Sequence, residues 1–168
     1  LYGWSREEVL GRPILELFGA DAPRERALAS VRDEGDWAGE LSQPTRDGDY
    51  VLYWMQQSQR AKHNDALEYA VRMANDLEQR LLVAFGLMDD YPEANARHYQ
   101  FMLEGLQETQ QDLHSRKIKF VLRFGHPAEV AIRLSQDAAA VVCDFGYLRH
   151  QRQWRQQVAE KVDARVVA

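Results

Sequence analysis

Ile118-Lys119-Phe120-Val121-Leu122-Arg123-Phe124, Gly125-His126, Pro127-Ala128-Glu129-Val130-Ala131-Ile132-Arg133-Leu134 and then Ala138-Ala139-Ala140-Val141-Val142-Cys143 is the stretch that decides the fold. It opens on a short apolar run rich in β-formers and ends on another, which is the pattern of buried strands. Between them, Pro127 suits the first turn of a helix, and Val130, Ala131 and Leu134 fall on one side of it. A strand, a helix and a strand in close succession imply a parallel pair joined by a crossover.

The same unit recurs on both sides. Upstream, Tyr50-Val51-Leu52-Tyr53-Trp54-Met55 reads as a strand. Asn64 is a plausible N-cap for a helix carrying Ala66, Leu67, Ala70, Val71, Ala74 and Leu77. Leu81 to Leu87 is a second strand, and a long helix follows with Tyr99, Met102, Leu103, Leu106 and Leu113 in one stripe. Downstream, Leu148 to Val162 reads as a last helix, and Ala164 to Ala168 begins a fifth strand. The expected fold is therefore α/β, a five-stranded, doubly wound parallel sheet covered on both faces. Ligands of such sheets sit at the carboxyl ends of the strands. Those ends are Met55–Arg60, Phe85–Asp90, Phe124–Pro127 and Asp144–Arg149.

Before Pro44–Asp49 the chain has another character, with short segments rich in charge and turns. Ser5 and Glu8 form a capping-box pattern, and Trp37 to Leu41 looks like the entry to a strand. The expected organisation is an irregular leader over 1–47 and the α/β domain over 48–168.

Composition narrows the function. Hydrophobic residues make up 45% and charged residues 28% of 168 residues, as in a globular protein. A net charge of −5 gives no general attraction to nucleic acid or to an anionic membrane. No apolar run approaches the roughly 20 residues that span a bilayer, and no signal peptide opens the chain, so a cytoplasmic location is expected. One cysteine, Cys143, fits a reducing compartment and reads as an inert core residue. Leu1 at the start, and an apolar run at the end, suggest a piece of a longer chain.

The usual chemical signatures are missing. The first strand runs into Gln56-Gln57-Ser58-Gln59-Arg60 and not into a glycine-rich phosphate loop. Ser58 lacks the flanking glycines of a nucleophile elbow and reads as a capping residue. His63, His98, His114, His126 and His150 show no metal-ligand spacing, so no metal and no catalytic residue is assigned. Asp89-Asp90-Tyr91-Pro92-Glu93 reads as a solvated turn with Asp caps for the next helix, in preference to a cation site.

Longer blocks carry a resemblance. Tyr50 to Ala61, Asn64 to Ala70, Asp89 to Asn95 with Arg97-His98-Tyr99, Phe101 to Leu106, and Gly146 to Arg149 with Gln151-Arg152 and Trp154-Arg155 resemble class II cyclobutane-pyrimidine-dimer DNA photolyases. The match covers about seven tenths of the chain and corresponds to that family's N-terminal α/β domain. The resemblance implies an antenna chromophore, a deazaflavin or a flavin, held in this domain. It also implies a partner in cis, the helical domain that binds FAD and the damaged DNA. That domain is absent here, so FAD binding and DNA repair belong to the full-length family and not to this chain alone.

For the chromophore, fold geometry nominates Met55, Gln56 and Gln57 as a floor, Phe85, Gly86 and Leu87 beside the ring system, and Phe124 with Gly125 closing one side. A bulky residue at Gly86 is expected to fill that site and spare the fold. Arg149, Arg152 and Trp154 are nominated for docking to the helical domain. Leu1 to Phe18, with Trp37 to Leu41 and Arg46-Asp47-Gly48, resembles part of a PAS sensor domain. That resemblance leaves open a second reading, a PAS-linked light- or redox-signalling module that dimerises through the leader. A third is a gene-fusion remnant without function.

Overall fold

The structure is a computed structural model, and it describes residues 48–168. The PAS-like leader lies outside the described residues. Five strands and four helices alternate: β1 (Tyr50–Trp54), α1 (Asp65–Asp76), β2 (Arg80–Leu87), α2 (Ala96–Ser115), β3 (Lys119–Phe124), α3 (Pro127–Leu134), β4 (Ala138–Cys143), α4 (Arg149–Lys161) and β5 (Arg165–Val167). All strand pairs are parallel, in the order β3-β2-β1-β4-β5. The chain thus steps outward from β1 to β3, returns across β1 and leaves on the other side. The order reverses between β1 and β4, which is the switch point where such sheets open a crevice.

The central strands explain their own sequence. In β1, Val51 and Tyr53 point into one core with Leu67, Ala70 and Leu113, while Leu52 and Trp54 point into the other with Ala128, Ala131 and Val158. Period-two alternation would leave one face polar, but both faces here are covered, so every position is apolar. Full burial of each large side chain is worth roughly 1.5–3 kcal/mol. β4 is buried throughout for the same reason. β3 is an edge strand, and its Lys119 and Arg123 are exposed there, the charges that discourage edge-to-edge pairing.

The helix caps follow local chemistry. The Asn64 side chain accepts from Leu67 N–H and starts α1. The Asn95 side chain accepts from Arg97 and His98 N–H, and the His98 Nδ1 accepts from Asn95 N–H, which starts α2. Pro127 opens α3, and Gly86 of β2 lies against it. A Cβ at Gly86 would sit 2.7 Å from Pro127 Cα, so the residue is glycine to let helix and strand meet.

The stripe expected on α2 is shifted. Leu106 and Leu113 are buried, but Leu103 is exposed and Thr109 takes the inward position. Its hydroxyl donates to Gly105 O or Gln59 O, at 2.9 and 3.1 Å, which satisfies a buried polar group. Among the described residues, no helix is long and apolar enough to cross a membrane.

Candidate functional site

The loop after β1 is held by a carboxylate. Asp144, the first residue after β4, sits across the switch point and is only 8% exposed. One of its oxygens, Oδ2, accepts from the backbone N–H groups of Gln56, Gln57 and Ser58 at 2.9, 2.7 and 2.9 Å. The other, Oδ1, accepts from the Tyr53 hydroxyl at 2.7 Å. Asn64 closes the arrangement: its Nδ2 lies 3.0, 3.0 and 2.9 Å from Tyr53 Oη, Ser58 O and Arg60 O and shares its two hydrogens among them. Burial first, and then the Asp144 charge, hold the Tyr53 phenol protonated far above its ordinary range. Burial likewise pushes the neighbouring Cys143 thiol up to about 12, against the pull of Arg155. A thiol in that state is a poor nucleophile.

Beside this loop a cleft of about 770 Å³ opens at the carboxyl ends of β1 and β2. That volume lies in the roughly 300–1,000 Å³ range of small-molecule sites. Phe85, Gly86, Leu87 and Met88 from the end of β2 line one wall, and Tyr99, Met102 and Gly105 of α2 line a second. Tyr91 and Trp154 complete an aromatic side. Their placement is fixed by a ring cluster. His150 lies edge-on to Tyr91, with centroids 5.1 Å apart, and its Nε2 is 2.9 Å from the Tyr91 hydroxyl. Trp154 packs on His150 at 4.9 Å and on His126 at 5.5 Å. The polar lining is mostly amide, from Gln56, Gln57, Gln59 and Gln151.

Five of the eight residues nominated from sequence meet at this cleft: Gln56, Gln57, Phe85, Gly86 and Leu87. Met55 is fully buried in the core, outside the lining. Phe124 is 69% exposed at the end of β3, and Gly125 beside it, with φ of 137°, also lies outside the lining. The expectation that a bulky residue at Gly86 spares the fold does not hold, because its missing Cβ faces the Pro127 backbone. Arg149 and Arg152 are exposed at the start of α4. Trp154 is 6% exposed and forms the cleft wall instead of an outward face. Asp144, Tyr91, His150 and Gly105 were not nominated. Asp144 carried a signal, an acid directly at the end of an apolar strand.

The DNA photolyase family model matches residues 51–168. The chain belongs to the DNA photolyase family. It is 46% identical over 117 residues to the deoxyribodipyrimidine photo-lyase of Methanothermobacter thermautotrophicus, covering 70% of this chain and 26% of that protein. It is 35% identical over 113 residues to the Arabidopsis thaliana deoxyribodipyrimidine photo-lyase, covering 66% of this chain and 23% of that one. The chain spans about a quarter of the length of these relatives. Among solved structures, the universal stress protein UspA from Lactobacillus plantarum overlays with a TM-score of 0.49 and 11% identity, covering 73% of this chain and 98% of that one, a likeness from which nothing about function follows.

Photolyases are flavin-dependent and carry an antenna chromophore in the N-terminal domain. The cleft fits such a group. It is large enough for a planar ring system, it has an aromatic and apolar lining, and at Gly105 a Cβ would meet nothing within 4 Å, so the space there is open.

Proposed function

We propose that residues 48–168 form the light-harvesting and docking domain of a class II cyclobutane-pyrimidine-dimer photolyase, and that the cleft holds a planar antenna chromophore, a deazaflavin or a flavin. The observation that carries this reading is the aromatic-sided cleft of about 770 Å³ at the carboxyl ends of β1 and β2. A bound antenna absorbs light and passes the excitation to reduced FAD in a helical domain, where the electron transfer that splits a pyrimidine dimer takes place. The residues of this chain supply position and surroundings. Phe85, Leu87 and Met88 offer apolar contact to a ring face, and Trp154 and Tyr91 offer ring edges. Gln56, Gln57 and Gln151 offer amide groups to the polar rim of the ring.

Docking is assigned to the β4–α4 corner. Phe145, Tyr147 and Leu148 are exposed there beside Arg149 and Arg152. An apolar group rimmed by cations is the usual make-up of an interface core and rim.

Fluorescence titration of the chain with 8-hydroxy-5-deazaflavin, riboflavin and FMN tests the reading. Saturable one-to-one binding of at least one of them is expected, together with its loss in Gly105→Trp. That substitution fills the cleft from a position where added atoms meet open space. Absence of saturable binding, or binding unchanged in Gly105→Trp with the fold retained by circular dichroism, overturns it.

A further inference from the structure

In α/β sheets of this type, the turn after the first strand is where backbone N–H groups converge on a phosphate. In this chain the same turn converges on the protein itself. Three successive N–H groups, of Gln56, Gln57 and Ser58, meet at a single oxygen of Asp144, with distances no longer than 2.9 Å. The carboxylate comes from the end of β4, the strand that lies next to β1 across the switch point. The Tyr53 hydroxyl, donated from below, occupies its second oxygen.

We infer that Asp144 is an internal anion that fills the phosphate position of the first βα turn, and so determines the ligand class of the neighbouring cleft by barring phosphate groups from that turn. Charge and geometry both support this. A phosphate oxygen at the turn would need the same three donors, and it would stand within a few ångströms of a like charge, which repels it in a partly desolvated site. The neighbouring cleft offers no compensation, because its lining contains neither lysine nor arginine and includes Glu93, while Arg155, which shares a small hollow with Asp144, is engaged with Gly146 O and the Phe145 ring. The sequence of the turn agrees. The turn carries no phosphate-loop glycine signature, and its three donors are already taken by the Asp144 carboxylate. The ligand class that remains is a planar ring with a neutral polar edge toward Gln56 and Gln57, and any phosphate-bearing tail points away from the sheet. This last step rests on the chromophore reading of the cleft; the assignment of Asp144 itself does not.

The test follows the ¹⁵N-labelled chain by NMR, reading the amides of Gln56, Gln57 and Ser58 during titration with inorganic phosphate and with AMP. In the wild-type chain these amides are expected to stay still for both. In Asp144→Ala the turn is vacated, and phosphate is expected to shift the same three amides saturably, while an equal concentration of chloride does so weakly. A merely structural role for Asp144 predicts no such gain. Saturable shifts of these amides in the wild-type chain overturn the inference, as does a folded Asp144→Ala that takes up no phosphate. If Asp144→Ala does not fold, Asp144→Asn carries the test through hydrogen exchange. Its neutral amide is expected to speed exchange of the three N–H groups by tenfold or more, and unchanged protection counts against a charge-filled turn. The same samples separate the two readings. Ring ligands that fail to bind, with the phosphate result as expected, remove the chromophore reading and leave Asp144 in its assigned role.

Discussion

The two loops that flank the switch point invert the usual rule for loops. The loop after β1, Gln56 to Arg60, is wholly polar in sequence, yet its backbone is fixed by Asp144 and Asn64. The loop after β4, Phe145 to Leu148, is largely aromatic and apolar, yet Tyr147 is 76% exposed and Phe145 and Leu148 are exposed beside it. The difference is one of hydrogen bonds. The first loop presents its backbone donors to a buried carboxylate, so its ordering is set by the backbone and hardly by its side chains. In the second, Arg155 lies 4.4 Å from the Phe145 ring and donates to Gly146 O, which braces the backbone while the rings face outward. One loop is held through its backbone, and the other turns its rings to solvent.

The largest expected effect comes from removing the anion that sets the first loop. Asp144→Ala leaves four donors without their acceptor. Even with water relieving some of them, each unsatisfied group costs about 1–3 kcal/mol, and a loss of roughly 3 kcal/mol in urea unfolding is expected. Tyr53→Phe removes one donor from the same network and should cost less, about 1.5 kcal/mol. If both variants lie within error of the wild-type chain, the first loop is no better held than the second, and the contrast fails.

The pH dependence sharpens the contrast further. The Cys143 thiol ionises near 9.0 when unfolded and near 12 in the fold. Between those values the unfolded chain has given up a proton that the folded chain keeps, so stability is full below pH 9 and falls as pH rises toward 12. Tyr53 adds to the fall above its ordinary value of 10.0. Urea midpoints between pH 8 and 11 should therefore decline, and Cys143→Ala should decline less steeply. An equal slope in both would place the titrating group elsewhere.

Which parts of this could be read from the sequence follows from what codes for them. Strands β1 and β4 were legible because burial on both faces forces unbroken apolar runs. Asn64 was legible as a cap because its chemistry is local. Leu103 was misplaced and Thr109 passed over, because a hydroxyl that satisfies itself on Gly105 O or Gln59 O passes for polar surface. Gly86 was taken for the neighbour of a ring, but its reason is Pro127, distant in sequence and close in space. Trp154 looked outward on a helix otherwise rich in Arg and Gln, and only the rings of Tyr91, His126 and His150 show why it turns in. Asp144 showed only as an acid at the end of an apolar strand, and its role escaped because three of its four partners are backbone N–H groups, which no residue identity announces.

The smallest expected effect on stability belongs to the second loop, and there the absence of an effect is informative. Tyr147→Ser, Arg149→Glu and Arg152→Glu alter exposed side chains, so the unfolding free energy should stay within about 0.5 kcal/mol of the wild-type chain. Association should not be so tolerant. If this corner docks a helical domain, the triple variant removes an apolar contact and reverses two charges at once. Binding to a separately expressed helical domain should weaken by tenfold or more, with a larger effect at low salt. Gly105→Ala serves as the control, because it changes the cleft and not this corner. As an alanine in a helix it should add about 0.5–1 kcal/mol of stability without altering association. Unchanged association in the triple variant would leave the exposed rings of the second loop without the role assigned to them. The two loops would then differ only in how their backbones are satisfied.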